Sequence, residues 1–67
     1  VSRAEDWVEI DDVACKIETE KAILVVVSGE EHWLPKMALS DESEVQGRGD
    51  KGILIIKEWL ALERGIE

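Results

Sequence analysis

The segment Ile23 to Val27, five apolar residues in a row and three of them valine, constrains this chain more than any other stretch. β-Branched side chains lose rotamer freedom in a helix and fit the pleated surface of a strand. Ser28-Gly29 follows at once, and Glu30 to Leu34 returns. A two-residue connection containing glycine is a hairpin signal, because glycine accepts a positive φ without steric cost. Upstream, Val13 to Glu18 alternates apolar and polar residues and reaches the apolar run through a short Thr19-Glu20 connection. Together these segments predict an antiparallel meander.

Two-residue loops at both connections set a register. Ile17 then faces Ala22, Cys15 faces Leu24, and Val13 faces Val26. On the other side Leu24 faces Trp33 and Val26 faces Glu31. One sheet face holds Val13, Cys15, Ile17, Ala22, Leu24, Val26 and Trp33, and is the predicted core. Glu18 opposite Lys21 makes a favourable cross-strand charge pair. The second face holds Ala14, Lys16, Ile23, Val25, Val27, His32 and Leu34. The curl of a small barrel, a terminal helix or a partner must cover its apolar part.

The flanks complete the expected architecture. Ser2 and Glu5 have capping-box spacing, and Ala4, Trp7 and Val8 share a helical face. Residues 1–11 therefore read as an N-terminal extension that offers a helical turn, although Val8 and Ile10 also alternate like a strand, and the first full strand starts near Asp12. The apolar parity changes from Val8 and Ile10 to Val13, Cys15 and Ile17, which marks Asp11-Asp12 as a turn or bulge. Pro35 lies at a strand end, where its missing N–H costs least. Ser40 to Glu44 is turn-like, and Gln46 to Gly52, with three glycines, reads as a mobile loop. Ile53 to Ile56 is an apolar strand. Trp59, Leu62 and Ile66, with Leu60, have helical spacing, and Gly65 marks a helix stop. Trp59 is expected to pack this helix onto the barrel. The expected fold is mainly β (α+β): a small SH3-like or OB-like antiparallel barrel or meander of four to five strands with a short C-terminal helix. Residues 1–67 read as one domain, and barrel closure removes exposed edges.

Composition narrows the function classes. A chain of 67 residues buries only about 60% of its unfolded surface and has little room for a deep catalytic pocket. The single Cys15 excludes an internal disulfide and a cysteine-based zinc site within one chain. No apolar run approaches the roughly 20 residues of a membrane helix. No signal-peptide pattern is evident, and the expected compartment is the cytoplasm. Sixteen acidic residues against eight basic ones give a net charge of −8, which repels phosphate backbones and favours basic protein partners.

Several residues are candidates for function. Trp33, with Pro35 and Lys36, has the make-up of a stacking platform for a base or a proline, although the register places its ring in the core. Trp7 is the candidate exposed anchor of an interface, since aromatic residues dominate binding hot spots. Ile23, Val25 and Leu34 form the candidate interface on the second sheet face. The acids Asp6, Glu9, Asp11 and Asp12 form one group, and Asp41, Glu42 and Glu44 a second. Aligned at phosphate-like spacing, they would make a nucleic-acid mimic. Glu30 and His32 share a strand face, but two mixed ligands do not make a metal site. One histidine offers no nucleophilic triad. The Gly-rich loop lacks P-loop spacing, and its Arg48-Gly49-Asp50 tripeptide is a coincidental match to an adhesion motif. Neither a cofactor nor catalysis is expected.

From Lys21 to Gly65 the chain resembles small, largely uncharacterised β-barrel domains of phage and bacterial accessory proteins. The stretches ETEKAILV, GEEHWLPK, SDESEV, GDKGILII and EWLALERG carry the resemblance. It implies a binding role beside phage DNA replication, recombination or host interaction, with no chemistry of its own. Met37 departs from the pattern, which has a small polar residue after Pro35-Lys36. The expected function is thus a non-enzymatic module that binds a protein partner in nucleic-acid handling, with homo-oligomerisation as an option. One alternative is an acidic mimic that inhibits a host nuclease or defence complex. Another is a single-stranded nucleic-acid-binding barrel using Trp33, Lys16, Lys21 and Lys36.

Overall fold

The computed structural model describes the backbone of residues 2–4 and residues 6–66 in full. Among the described residues five strands and one helix follow in order: β1 (Ser2–Ala4), β2 (Trp7–Glu18), β3 (Ala22–Val27), β4 (Glu30–Pro35), β5 (Lys51–Lys57) and α1 (Glu58–Arg64). A single 3₁₀ turn, Lys36–Ala38, follows β4. All pairings are antiparallel, in the order β1-β2-β3-β4, with β5 paired to β2. The result is the expected mainly β, barrel-like fold with a short C-terminal helix.

β2 makes the curl. Its first part pairs with β5, from Trp7↔Lys57 to Ala14↔Lys51, and its last part pairs with β3. Two irregularities bend it. The first lies between Ile10 and Val13, where Asp12 has φ 57°. An extra residue there keeps Val8, Ile10, Val13 and Cys15 all in the core, as the parity change requires. The second lies between Cys15 and Ile17 and leaves no trace in the sequence parity. It turns Ile17 outward. β2 thus begins at Trp7, and Ser2–Ala4 is a strand, so the expected helical turn and extension over 1–11 are replaced by strand pairing. Glu5 of the suggested capping box lies outside the described residues.

The second hairpin has the expected register. Val27 pairs Glu30 and Leu24 pairs Trp33 around a Ser28-Gly29 turn with φ of 51° and 81°. Two positive φ values match the right-handed twist of the strands. The first hairpin does not have the expected register. Glu18 pairs Ile23, not Lys21, and Thr19 to Lys21 forms the connection between the two strands. Thr19 closes it, its N–H donating to the Ala22 carbonyl at 2.8 Å. A tight two-residue turn needs positive φ at one or both loop positions. Thr19 and Glu20 are poor residues for that conformation, so the chain takes a longer loop.

The longer loop moves the register by two residues, which keeps Ile17, Leu24 and Trp33 on one face as expected; the irregularity between Cys15 and Ile17 puts Val13 and Cys15, core residues as expected, on the other. Ile23, Val25, Val27 and Leu34 point inward and join Val8, Ile10, Val13, Cys15, Leu54, Ile56 and Leu60 in the core. Leu24, Val26 and Trp33 lie on the outer face with Ile17. Ile23, Val25 and Leu34 are each 0% exposed. They therefore cannot form the interface proposed from the sequence, and Trp33 is not a core residue.

The segment after the 3₁₀ turn runs along the free edge of β5 and covers it. Ser40 N–H donates to the Ile55 carbonyl, and Glu44 N–H donates to the Ile53 carbonyl, both at 2.9 Å. Side chains complete the ladder: Ile55 N–H donates to Ser43 Oγ at 3.0 Å, and Ile53 N–H to Glu44 Oε1 at 2.8 Å. Ser43 is itself buried, and its hydroxyl donates to the Val45 carbonyl at 3.0 Å. Ser43→Ala leaves the Ile55 N–H without its acceptor. It is expected to cost about 1–3 kcal/mol, read as a lowered urea midpoint at unchanged slope.

The Gln46 to Gly52 loop, read as mobile, is held at several points. Asp50 Oδ2 accepts from the N–H groups of Gln46 and Gly47 at 3.0 and 2.9 Å. Cys15 N–H donates to the Asp50 carbonyl at 2.9 Å, and Gly49 N–H returns to the Cys15 carbonyl at 3.1 Å. α1 docks through Leu60 and Ala61, both buried. Trp59 and Leu62 face outward, contrary to the expected packing of Trp59. In so short a helix one narrow stripe meets the barrel, and residues 60 and 61 take it. Gly65, in the left-handed region at φ 70°, ends the helix as expected.

Candidate functional site

The outer face of β2, β3 and β4 carries a row of apolar side chains. Ile17 pairs Leu24, which pairs Trp33. Ile17 is 45% exposed and Trp33 46%, while Leu24 between them is only 8% exposed. Val26 extends the row at one end and the Ala22↔Pro35 pair at the other. Met37, just beyond β4, is fully outside the core. Three strands support this patch and fix its side chains at cross-strand spacing. Contiguous apolar surface on a strand framework is the feature that a partner protein can cover.

Ion pairs frame the patch. Lys16 Nζ lies 3.4 Å from Glu31 Oε2, and Lys36 Nζ lies 2.6 Å from Glu18 Oε2. Glu18 also accepts from the Arg48 N–H at 3.2 Å. The Lys36 hydrogen bond, then the Arg48 N–H and the Lys36 charge, hold the Glu18 carboxyl below its ordinary value of 4.5. Its folded pKa is lower than its unfolded one. The stabilisation is present above the unfolded value and is lost as pH falls through the folded one. Glu18→Gln is therefore expected to flatten the acid limb of a melting-temperature profile below about pH 5. A profile that stays as steep as the parent's contradicts this role.

The other sequence candidates fall in different places. Trp7 is half-buried at the start of β2, and Lys57 Nζ sits 4.3 Å from its ring centroid. Trp7 lines an open depression of about 420 Å³ together with Leu39, Ile55, Glu9, Asp41 and Glu42. This joins acids from the two groups that the sequence kept apart. Glu44 is occupied with the β5 edge, and Asp11 and Asp12 are exposed at the β2 bulge. The Asp6 carbonyl accepts the Glu58 N–H at 2.7 Å, where α1 begins.

His32 is half-buried, and Glu30 is exposed at the start of β4. Among the described residues no group of three or more His, Cys, Asp or Glu side chains is placed to hold a metal ion. Cys15 is buried, and burial, then the charges of Glu18 and Asp50, push its thiol pKa up. A buried thiol with a raised pKa is a poor nucleophile. Among the described residues no helix is long and apolar enough to cross a membrane.

Sequence reasoning identified Trp33 as a candidate but missed its neighbours Ile17 and Leu24. The expected register did place all three on one face, but took that face for the core. The irregularity between Cys15 and Ile17 parts that face from Val13 and Cys15, and no residue in the sequence signals it. Comparison with protein-family models, with curated proteins and with solved structures finds no match to the chain.

Proposed function

We propose that this chain is a non-enzymatic protein-interaction module that docks its partner on the outer face of β2, β3 and β4. The observation that carries this reading is the Ile17–Leu24–Trp33 row, with a tryptophan and an isoleucine each nearly half exposed around a covered leucine. A large aromatic side chain on a rigid sheet, ringed by paired charges, has the make-up of a binding hot spot. The resemblance to phage and bacterial accessory domains points to a partner that handles nucleic acid. The net charge of −8 favours a partner with a basic surface.

The single-stranded nucleic-acid reading has less support. Of the three lysines it calls on, Lys16 and Lys36 are paired with carboxylates, which leaves Lys21. The mimic reading draws on seven acids along one face, whereas Glu44 is engaged in a backbone hydrogen bond and three of the others, Glu9, Asp41 and Glu42, line one depression. The test is capture from a nuclease-treated lysate of the source cells, with the parent and a Trp33→Ser variant side by side. A protein held by the parent and lost by the folded variant supports the reading. A protein held equally by both, or nucleic acid alone held without nuclease, overturns it.

A further inference from the structure

A second surface, away from the Ile17–Trp33 face, has its own chemistry. The depression beside the first half of β2 has an apolar floor of Trp7, Leu39 and Ile55, with Glu9, Asp41 and Glu42 around it. Its parts come from three places in the chain: β2, the segment covering the β5 edge, and β5 itself. The hydrogen bonds of Ser40 N–H to the Ile55 carbonyl and of Glu42 N–H to Ser40 Oγ hold the acidic segment beside the floor. Among the described residues, none of the three carboxylates has an ion-pair partner. The depression therefore combines three carboxylates with an aromatic wall. That wall already accepts a cation, since the Lys57 ammonium lies over the Trp7 ring at 4.3 Å.

We propose that this depression receives an arginine or lysine side chain from an extended basic segment of a partner protein. A cationic side chain is amphipathic. Its methylenes lie on apolar surface while its head meets carboxylates and the face of an aromatic ring. An acidic peptide is repelled by the same three carboxylates, and a wholly apolar one leaves them stripped of water and unpaired. A basic segment alone satisfies both the floor and the rim. The site is independent of the sheet face: a partner that uses one need not touch the other.

The test is a titration of ¹⁵N-labelled protein with a capped tetra-arginine peptide, beside a tetra-glutamate control. Shifts are expected at the Trp7 indole N–H and at the amides of Leu39, Asp41, Glu42 and Ile55, with none from the control. The exposed pair Asp41→Asn and Glu42→Gln is expected to weaken binding roughly tenfold. The pair Asp11→Asn and Asp12→Asn removes equal charge elsewhere and is expected to change affinity by no more than about twofold. Equal weakening by both pairs means diffuse charge attraction, and overturns the site. So do shifts centred on Ile17 and Trp33.

Discussion

Leu34→Ala is expected to unfold this protein rather than to weaken a contact. Leu34 is wholly buried and lies between the sheet and the rest of the core. Truncating a buried leucine costs about 2–5 kcal/mol, the removed methylenes plus the cavity they leave. A chain of this size has on the order of 3–5 kcal/mol in all. Circular dichroism at room temperature should show a mainly unfolded spectrum, or a urea midpoint near zero. A variant that stays folded and only loses a partner contradicts the inward register of β3 and β4. Ile23 and Val25 lie on the same face, and truncating them should act in the same direction.

Trp33→Ser is expected to do the reverse. The side chain is nearly half exposed, so its loss removes only part of the burial that a core aromatic supplies. The stability cost is expected to be about 1 kcal/mol, or a fall of roughly 4–8 °C in Tm for a domain this small. The effect on binding is expected to be larger. A central aromatic hot spot contributes about 2 kcal/mol or more, which is roughly a thirtyfold loss of affinity. The pair of results separates the faces: one variant loses the fold, the other keeps the fold and loses the partner. A Trp33→Ser protein that melts as Leu34→Ala does would return Trp33 to the core.

How far the sequence could be read follows from which devices leave a pattern in it. The second hairpin was legible because Ser28-Gly29 can take two positive φ values, so its register followed directly. The Asp11-Asp12 bulge was legible because it changes the parity of buried residues along β2. The irregularity between Cys15 and Ile17 was not legible. Val13, Cys15 and Ile17 alternate without a break, yet the last of them faces solvent. A strand whose residues are apolar on both sides, as Ile23 to Val27 are, gives no further hint of which side is in. Face assignment then hangs on the pairing with β2, and the hidden irregularity at Cys15 and Ile17 parted Leu24 and Trp33 from the core. The β5 edge cover was also hidden. Ser43 and Glu44 look like turn residues, and their role depends on groups nine to twelve residues away. For the same reason the acidic groups around Glu9 and Asp41 looked separate. They meet only because the segment after β4 lies beside β5.

The outer-face row is not the sole exposed apolar surface. Trp59 and Leu62 are 53% and 60% exposed on α1. They present two side chains on a seven-residue helix, whereas the row on the sheet has three strands behind it. A direct experiment separates these surfaces. A photo-crosslinking residue is placed at Ile17 in one protein and at Leu62 in another, and each is irradiated with the captured partner. Docking on the sheet face predicts a crosslinked adduct from position 17 and none from position 62. An adduct from position 62 alone would contradict docking on the sheet face.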